Sequence, residues 1–226
     1  MSTNSGKKAR KEQQEGFVSD NFKEIKPLNY IQEVYLNAIK TNDIIFGVGS
    51  AGTGKTFVSA SYAASQLFHR NIEKVILTRP NIEVGYGLGY LPGTLEEKYA
   101  PYLEPFESVL SRSLGKGFYE WAIKNKTIDP KPIGFMRGST FENSIVLIDE
   151  AQNLTKTEFK MLLSRIGRGC KMILSGDPSQ CDISNSGLQD AIDRLEGIDG
   201  IDVVRFLDSD IVRSKLCKQV ILAYNK

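Results

Sequence analysis

The chain of 226 residues is 41% hydrophobic and 25% charged, which is typical of a folded globular protein and argues against a disordered or fibrous one. No apolar run approaches the roughly 20 residues of a membrane-spanning helix, and the polar start is not a secretory signal, so we expect a cytoplasmic protein without a membrane partner. Three cysteines without a CxxC pair and a single histidine argue against a disulfide framework, a zinc site and a Ser-His-Asp triad. The formal net charge of +2 is too small to identify a partner.

Residues 1–26 are polar and predict a flexible N-terminal arm, whereas the apolar periodicity that begins in YIQEVYLNAI predicts one domain over residues 27–226. Gln32 lies in this first helical segment, shortly before the first predicted strand. A carboxamide there can pair with the N6 and N7 edges of adenine. A surface glutamine is the alternative interpretation.

Apolar runs rich in β-branched residues predict buried strands at residues 43–48, 74–78, 144–149, 171–176 and 202–206. Apolar residues at helical spacing follow three of these runs, in residues 55–70, 155–167 and 187–197. This alternation predicts an α/β fold with a doubly wound, mainly parallel sheet of about five core strands.

The segment between the second and third strands is too long for a single crossover, and it predicts an insertion over about residues 81–143. Two helical patterns occupy it, in residues 95–114 and 117–126. Pro101 and Pro105 are expected to interrupt or kink the first of them.

Residues 49–56 read GSAGTGKT and match the phosphate-binding pattern G-x-x-x-x-G-K-[ST] between a predicted strand and a predicted helix. The glycines allow backbone N–H groups to surround phosphate oxygens at the helix N-terminus. Lys55 can reach the β- and γ-phosphates, and the Thr56 hydroxyl can bind Mg²⁺. The predicted nucleotide-binding residues are Gly49, Ser50, Ala51, Gly52, Thr53, Gly54, Lys55 and Thr56. A glycine-rich turn without a ligand is the alternative.

Asp149 and Glu150 follow the apolar run IVLI, at the edge of an open α/β sheet where ligands bind. Beside a phosphate-binding loop, the pair suggests that Asp149 holds Mg²⁺ and that Glu150 orients and deprotonates an attacking water. This arrangement favours hydrolysis over phosphate transfer to a metabolite. A helix-capping acidic pair is the alternative.

The turn SGDPSQ, residues 175–180, follows the next predicted strand. Gln180 is placed there to sense the γ-phosphate, and Asp177 is expected to face a nucleic-acid or protein partner. An ordinary turn is an equal alternative, because Gly, Asp and Pro favour turns.

A resemblance to a known family is carried by GVGSAGTGKT, LTRPNIEVGYGLGYLPGTLEEKYAPYL, FMRGSTFENSIVLIDEAQN, LSRIGRGCKMILSGDPSQCDI and DSDIVRSKLCKQVILAY. In this order the segments resemble the PhoH-like ATPase family, whose nucleotide core is similar to that of superfamily-one helicases. The resemblance implies a RecA-like P-loop core, a Mg²⁺-dependent ATPase with ATP as its nucleotide, and a link to RNA or DNA. The size resembles that of a minimal, phage-like member, and nuclease activity is not expected.

The same resemblance implies an assembly. Helicases of the resembled superfamily hydrolyse ATP between two RecA-like cores, whereas this chain has a single P-loop. A neighbouring subunit is therefore expected to complete the site, in a closed head-to-tail ring that we expect to be a hexamer. Arg213 matches the family's arginine and is the candidate finger that acts in trans on the γ-phosphate. A surface arginine at a helix N-terminus is the alternative.

Three functions compete on these residues. The leading one is an ATPase that works on single-stranded RNA or DNA, the second is a regulatory or protein-remodelling ATPase, and the third, a small-molecule kinase, lacks an acceptor-binding motif. Arg79 is either a phosphate-backbone contact or a structural arginine. The insertion mixes cations with aromatic surfaces suited to a single strand, although most of these aromatics fit core packing as well. They are Lys98, Arg112, Lys116, Lys124, Lys126, Lys131 and Arg137, with Tyr99, Tyr102, Phe118, Tyr119 and Trp121.

Overall fold

A computed structural model describes residues 22–24, 26–80 and 99–224 of the chain. The α-helices are α1 (Tyr30–Thr41), α2 (Lys55–Phe68), α3 (Glu104–Leu114), α4 (Lys116–Lys124), α5 (Lys156–Leu163), α6 (Leu188–Leu195) and α7 (Lys215–Tyr224). The strands are β1 (Ile44–Gly49), β2 (Lys74–Thr78), β3 (Ile128–Pro130), β4 (Ser144–Ile148), β5 (Lys171–Gly176) and β6 (Ile201–Phe206). Short 3-10 helices span Ala100–Leu103, Ile133–Met136, Ala151–Asn153, Pro178–Gln180 and Asp208–Asp210.

The strands form one six-stranded sheet in the order β3-β2-β4-β5-β1-β6, and every pair is parallel. The predicted α/β fold with a doubly wound parallel sheet is confirmed, and each of the five predicted strands is present to within one or two residues at its ends. The sheet has one strand more than predicted. The carboxyl ends of β2, β4, β5, β1 and β6 all reach the same edge, where ligands bind in folds of this type.

Helices cover both faces of the sheet, because neighbouring residues of a strand point to opposite sides. In β1, Ile45 packs in the core beneath α1, α2, α3 and α4, whereas Ile44 and Phe46 pack in the opposite core against α5 and α6. β4 divides in the same way between Leu147 and Ile148. Strands buried on both faces explain why the predicted runs are continuously apolar.

The insertion is not purely helical. Its described part runs from residue 99, and it contains α3, α4 and the edge strand β3, which pairs with β2. Pro101 and Pro105 lie in the first turns of a 3-10 helix and of α3, where a missing N–H costs nothing, so the predicted helix is interrupted between Leu103 and Glu104 rather than kinked. The part of the predicted helix before residue 99 lies outside the described residues.

Residues 22–24 belong to the predicted arm and pack on the domain. Phe22 stacks on Phe68 with ring centroids 4.4 Å apart, and Lys23 N–H donates to the Ser113 carbonyl at 3.0 Å. These contacts attach this piece to α2 and α3, whereas the boundary at residue 26 stays a prediction. In the part of the chain that the structure describes, no helix has the length and apolarity needed to cross a membrane.

Candidate nucleotide-binding site

The loop between β1 and α2 has a backbone that requires glycine. Gly49, Gly52 and Gly54 have φ of 133°, 77° and 90°, in the region that L side chains rarely adopt. A Cβ atom on Gly49 would also collide with the carbonyl oxygen of Phe206 on the neighbouring strand β6. Gly54 precedes α2, so the N–H groups of the first helical turn point toward the loop and favour an anion.

Lys55, the first residue of α2, is only 8% exposed and lies over the loop. Its ammonium donates to the carbonyls of Gly49 at 2.6 Å and Ser50 at 2.8 Å. Burial lowers the pKa of this lysine, while the charges of Asp177, Asp149 and Glu150 oppose that shift. The loop and the surrounding carboxylates therefore hold a preoriented cation where phosphates are expected.

Thr56 and Asp149 line the same cavity as Lys55 and contact each other. The Thr56 hydroxyl donates to Asp149 Oδ1 at 3.2 Å. Burial and the neighbouring charge of Glu150 raise the pKa of Asp149, whereas Arg79, a backbone hydrogen bond and the Thr56 hydroxyl lower it. A hydroxyl and a carboxylate side by side are hard oxygen donors of the kind that Mg²⁺ prefers, so the donor set fits a magnesium ion shared with nucleotide phosphates.

Glu150 follows β4 in the left-handed region, with φ of 52°. Arg79 Nη2 donates to its Oε1 at 2.8 Å, and Gln152 Nε2 donates to its Oε2 at 2.5 Å. Arg79 reaches Glu150 because it follows β2, which lies beside β4 with Thr78 opposite Ile148. Of the two sequence interpretations of Arg79, a structural bond at the sheet edge describes this contact.

The SGDPSQ turn after β5 contacts the loop directly. Asp177 Oδ2 accepts the backbone N–H of Ala51 at 2.9 Å and the Gln180 Nε2 amide at 2.8 Å. Asp177 is only 6% exposed, so the expectation that it faces a partner is wrong: its carboxylate orders the nucleotide loop. Gln180 lines the same cavity, and its role as a γ-phosphate sensor stays a prediction.

Gln32 is fully buried in α1, which excludes the interpretation as a surface glutamine. Its Nε2 donates to the Thr53 carbonyl at 2.9 Å, and its Oε1 accepts the Leu28 N–H at 2.9 Å. Both ends of the carboxamide are therefore bonded to backbone in this structure. Gln32 positions the loop, while adenine recognition by the same group stays a prediction.

Arg213 lies on the nucleotide loop of its own chain. A Cβ atom on Gly52 would be 2.8 Å from Arg213 Nε, and the neighbouring Val212 N–H donates to the Gly52 carbonyl at 3.1 Å. The Arg213 side chain therefore lies at the nucleotide loop of its own chain, while its action on the γ-phosphate of a neighbouring subunit stays a prediction.

These groups surround one cavity of about 560 Å³ at the carboxyl edge of the sheet, a volume suited to a nucleotide. The cavity brings together all the residues predicted to act on the γ-phosphate or its magnesium: Lys55, Thr56, Asp149, Glu150, Gln180 and Arg213. Apolar residues also line the cavity: Leu28, Phe57, Pro105, Val109 and Val212.

Three aromatic residues of the insertion are buried in the core. Tyr99, Phe118 and Tyr119 are at most 8% exposed and belong to the core around α3 and α4, so they are not available to stack on bases. Trp121 packs on Phe118 with ring centroids 5.5 Å apart. Lys98 and the side chain of Tyr102 lie outside the described part of the chain.

The sequence profile of the family described as PhoH-like protein matches residues 24–225. The chain is 42% identical to protein PhoH of Escherichia coli K12 over 202 residues, which cover 87% of this chain and 57% of the relative. It is 44% identical to the PhoH-like protein of Bacillus subtilis over 198 residues, covering 86% of this chain and 62% of the relative. The chain belongs to the PhoH family. It spans about three fifths of the length of these curated relatives.

A solved structure supports the fold of this PhoH-family chain. The large terminase from a thermophilic bacteriophage superposes with a TM-score of 0.51 at 14% identity, covering 86% of this chain and 50% of the terminase. At this identity the likeness is one of fold alone. It agrees with the α/β fold described above.

The PhoH-family site also contains residues that sequence reasoning missed. Gln152 is 1% exposed; its Oε1 accepts the Asp177 N–H at 2.9 Å and its Nε2 bonds to Glu150. Asp208, after β6, accepts the Ser50 hydroxyl. Gln152 stands in the quoted segment FMRGSTFENSIVLIDEAQN, where a polar residue shortly after two acids was the available signal. Asp208 begins the quoted segment DSDIVRSKLCKQVILAY, but its position beside the loop could not be predicted, because it depends on β6 being the neighbour of β1.

Proposed function

We propose that this PhoH-family chain binds ATP with Mg²⁺ and hydrolyses it. The observation that carries the proposal is the convergence of Lys55, the Thr56–Asp149 pair and Glu150 on one cavity. Each group has the chemistry required at its place: a cation for phosphate oxygens, two oxygens for the metal and a carboxylate for water.

The residues divide the work between binding and proton transfer. Lys55 exchanges its two carbonyl partners for phosphate oxygens, and the N–H groups at the start of α2 bind the same phosphates. Thr56 and Asp149 would hold the magnesium ion, which when bound neutralises charge on the phosphate oxygens. Glu150 accepts the proton of the attacking water, and Gln180 lies in the same cavity to orient it.

Two variants test this proposal. Lys55→Ala is expected to abolish turnover and weaken ATP binding while the protein stays folded, because the ammonium binds the loop rather than the core. Glu150→Gln is expected to bind ATP normally and to lose nearly all hydrolysis, because an amide cannot accept the proton. Phosphate release, ATP binding by calorimetry and circular dichroism distinguish these results. Wild-type turnover in either variant would contradict the assigned role.

Arg213 acts in cis in this proposal, since it lies against Gly52 of its own loop. Its guanidinium would neutralise charge at the γ-phosphate as turnover proceeds. A homo-oligomeric ring, which we take to be a hexamer, is a separate proposal based on the family resemblance. With Arg213 acting in cis, the ring does not have to supply this arginine. Sedimentation at several protein concentrations tests the ring.

Coupling of hydrolysis to single-stranded RNA or DNA is the finer part of the proposal. It is supported by the family resemblance and by exposed insertion cations, which are Arg112, Lys116, Lys124, Lys126 and Arg137. Burial of three insertion aromatics favours phosphate contacts over base stacking. Affinity for oligo(dT) or oligo(U) should therefore fall with salt, with a log–log slope of about −0.7 for each phosphate contact. A lack of binding at low salt would favour the alternative, a regulatory or protein-remodelling ATPase.

A further inference from the structure

Both oxygens of the Glu150 carboxylate, which the proposed hydrolysis needs as its base, accept hydrogen bonds from other side chains. Gln152 holds Oε2 of Glu150, and Arg79 covers Oε1 at 2.8 Å. A general base must present an oxygen within about 2.6–3.2 Å of the water whose proton it accepts. The oxygen that could do so here is the one that Arg79 covers, because Gln152 belongs to the buried network that orders the SGDPSQ turn.

Arg79 has a fixed main chain and a side chain that can change partner. The Tyr99 hydroxyl accepts its backbone N–H at 2.6 Å and donates to its carbonyl at 3.0 Å. Its side chain is 27% exposed and that of Glu150 is 28% exposed, so the ion pair lies at the mouth of the cavity. Water or a solute can therefore reach the guanidinium without any rearrangement of the sheet.

The Arg79 guanidinium itself suits a phosphate. A guanidinium binds phosphate oxygens as readily as it binds a carboxylate. Because the Arg79–Glu150 pair lies at the mouth of the cavity, a phosphate of an approaching strand can reach Arg79 from solvent.

We propose that Arg79 is a positioning residue that restrains Glu150 until a phosphate of a single-stranded nucleic acid takes over its guanidinium. The exchange replaces one charged hydrogen bond by another and frees Oε1 to accept a proton. Strand binding and hydrolysis are thereby coupled through one ion pair. The proposal rests on the proposed role of Glu150 as the base.

Coupling of this kind is reciprocal, so it can be measured without nucleotide. If strand binding must break the Arg79–Glu150 pair, then Glu150→Gln should bind fluorescent oligo(dT) or oligo(U) about fivefold more tightly than wild type. A change in affinity of about this factor corresponds to the free energy of a partly exposed ion pair. Arg79→Ala should bind the same probes more weakly. Arg205→Ala removes an arginine from a surface pair with Glu196, at 2.7 Å on β6, and should leave the affinity unchanged.

Turnover at saturating ATP supplies the second readout. The turnover rates of wild type and Arg205→Ala should rise about fivefold when oligonucleotide is added. Arg79→Ala should already show the higher rate alone and gain nothing further. Thermal unfolding establishes that each variant is folded.

The outcomes separate this inference from the function on which it rests. Hydrolysis at the wild-type rate by Glu150→Gln would show that Glu150 is not the base. With the base established, an Arg79→Ala rate equal to that of wild type, or still stimulated by oligonucleotide, overturns the restraint. A lower rate with a raised KM for ATP also overturns it, since Arg79 would then bind the phosphates of the nucleotide. Unchanged oligonucleotide affinity in Glu150→Gln would rule out the competition.

Discussion

Asp149, the proposed magnesium ligand, is expected to lower the stability of the folded protein. Its carboxylate is withdrawn from water and stands beside Glu150, and both effects raise its pKa. An acid with a raised pKa favours the folded state when it is protonated, and this contribution is lost as the pH rises through the folded-state pKa. At neutral pH the buried Asp149 carboxyl therefore lowers the stability of the folded protein.

We predict that Asp149→Asn raises the melting temperature at pH 7 and abolishes Mg²⁺-dependent turnover. The gain should shrink as the pH falls toward the ordinary range of aspartate near 4, where both states bind the proton. Each kcal/mol corresponds to roughly 2–4 °C in a domain of this size. Calorimetry across this pH range measures the effect, and a lower melting temperature at pH 7 would show that the charge stabilises the fold.

Asp190 provides the control of opposite sign. Hydrogen bonds from Arg194 and Lys156 lower its pKa to about 2, so its contribution is present above the ordinary pKa of aspartate and is lost as the pH falls toward 2. Asp190→Asn should therefore lower the melting temperature at pH 7 or leave it unchanged, with turnover intact. An increase comparable to that of Asp149→Asn would mean that removal of any carboxylate stabilises this protein.

At this scale the sequence predicts contiguous chemistry well and distant pairs poorly. The loop lysine, the Thr56 hydroxyl and the two acids are readable because each lies in a short motif with a fixed structural context. The Arg79–Glu150 pair joins residues 71 positions apart. It depends on β2 lying beside β4, which no local pattern encodes.

At the junction of β1, β6 and α2 two backbones approach each other closely. Gly49 ends β1 opposite Phe206, the last residue of β6, and the two backbones approach too closely to admit a Cβ atom. The start of α2, and with it Lys55, is positioned by this approach. A change at Gly49 should therefore reach the chemistry through the geometry of the loop.

We predict that Gly49→Ala reduces ATP affinity and turnover by at least tenfold and lowers the melting temperature, because β6 must move away or the loop must change its path. Gly138→Ala is the matched control: Gly138 also has a positive φ, of 79°, but a Cβ there meets nothing within 4 Å. ATP titration and thermal unfolding of both variants separate backbone strain from collision. Equal losses in the two variants would assign the effect to strain alone.

The strands themselves show why part of the sheet escaped prediction. β1, β2, β4 and β5 are buried on both faces and can be recognised as continuous apolar runs, whereas the edge strand β6 carries Asp202 and the exposed Arg205 beside its β-branched residues. β3 has only three residues, Ile128–Pro130, of which one is an acid and one a proline. Such a strand is tolerated because it lies at the edge of the sheet, the position to which proline is confined. Its sequence cannot be distinguished from that of a loop.

On the scale of the whole molecule, the placement of Arg213 changes what assembly has to provide. We predict that Arg213→Ala subunits, which keep Lys55, and Lys55→Ala subunits, which keep Arg213, do not restore each other's ATPase activity when mixed. Each chain carries its loop and its arginine together, so neither partner can complete the other. Recovery above both single variants, in oligomers verified by sedimentation to be mixed, would establish an arginine that acts in trans.

The Tyr99 hydroxyl links two parts of the chain that are 20 positions apart. It bonds to both backbone groups of Arg79 and so attaches the start of the helical part of the insertion to the carboxyl end of β2. Because the link joins residues on either side of positions 81–98, it depends on the Tyr99 ring and the Arg79 backbone and not on the residues between them.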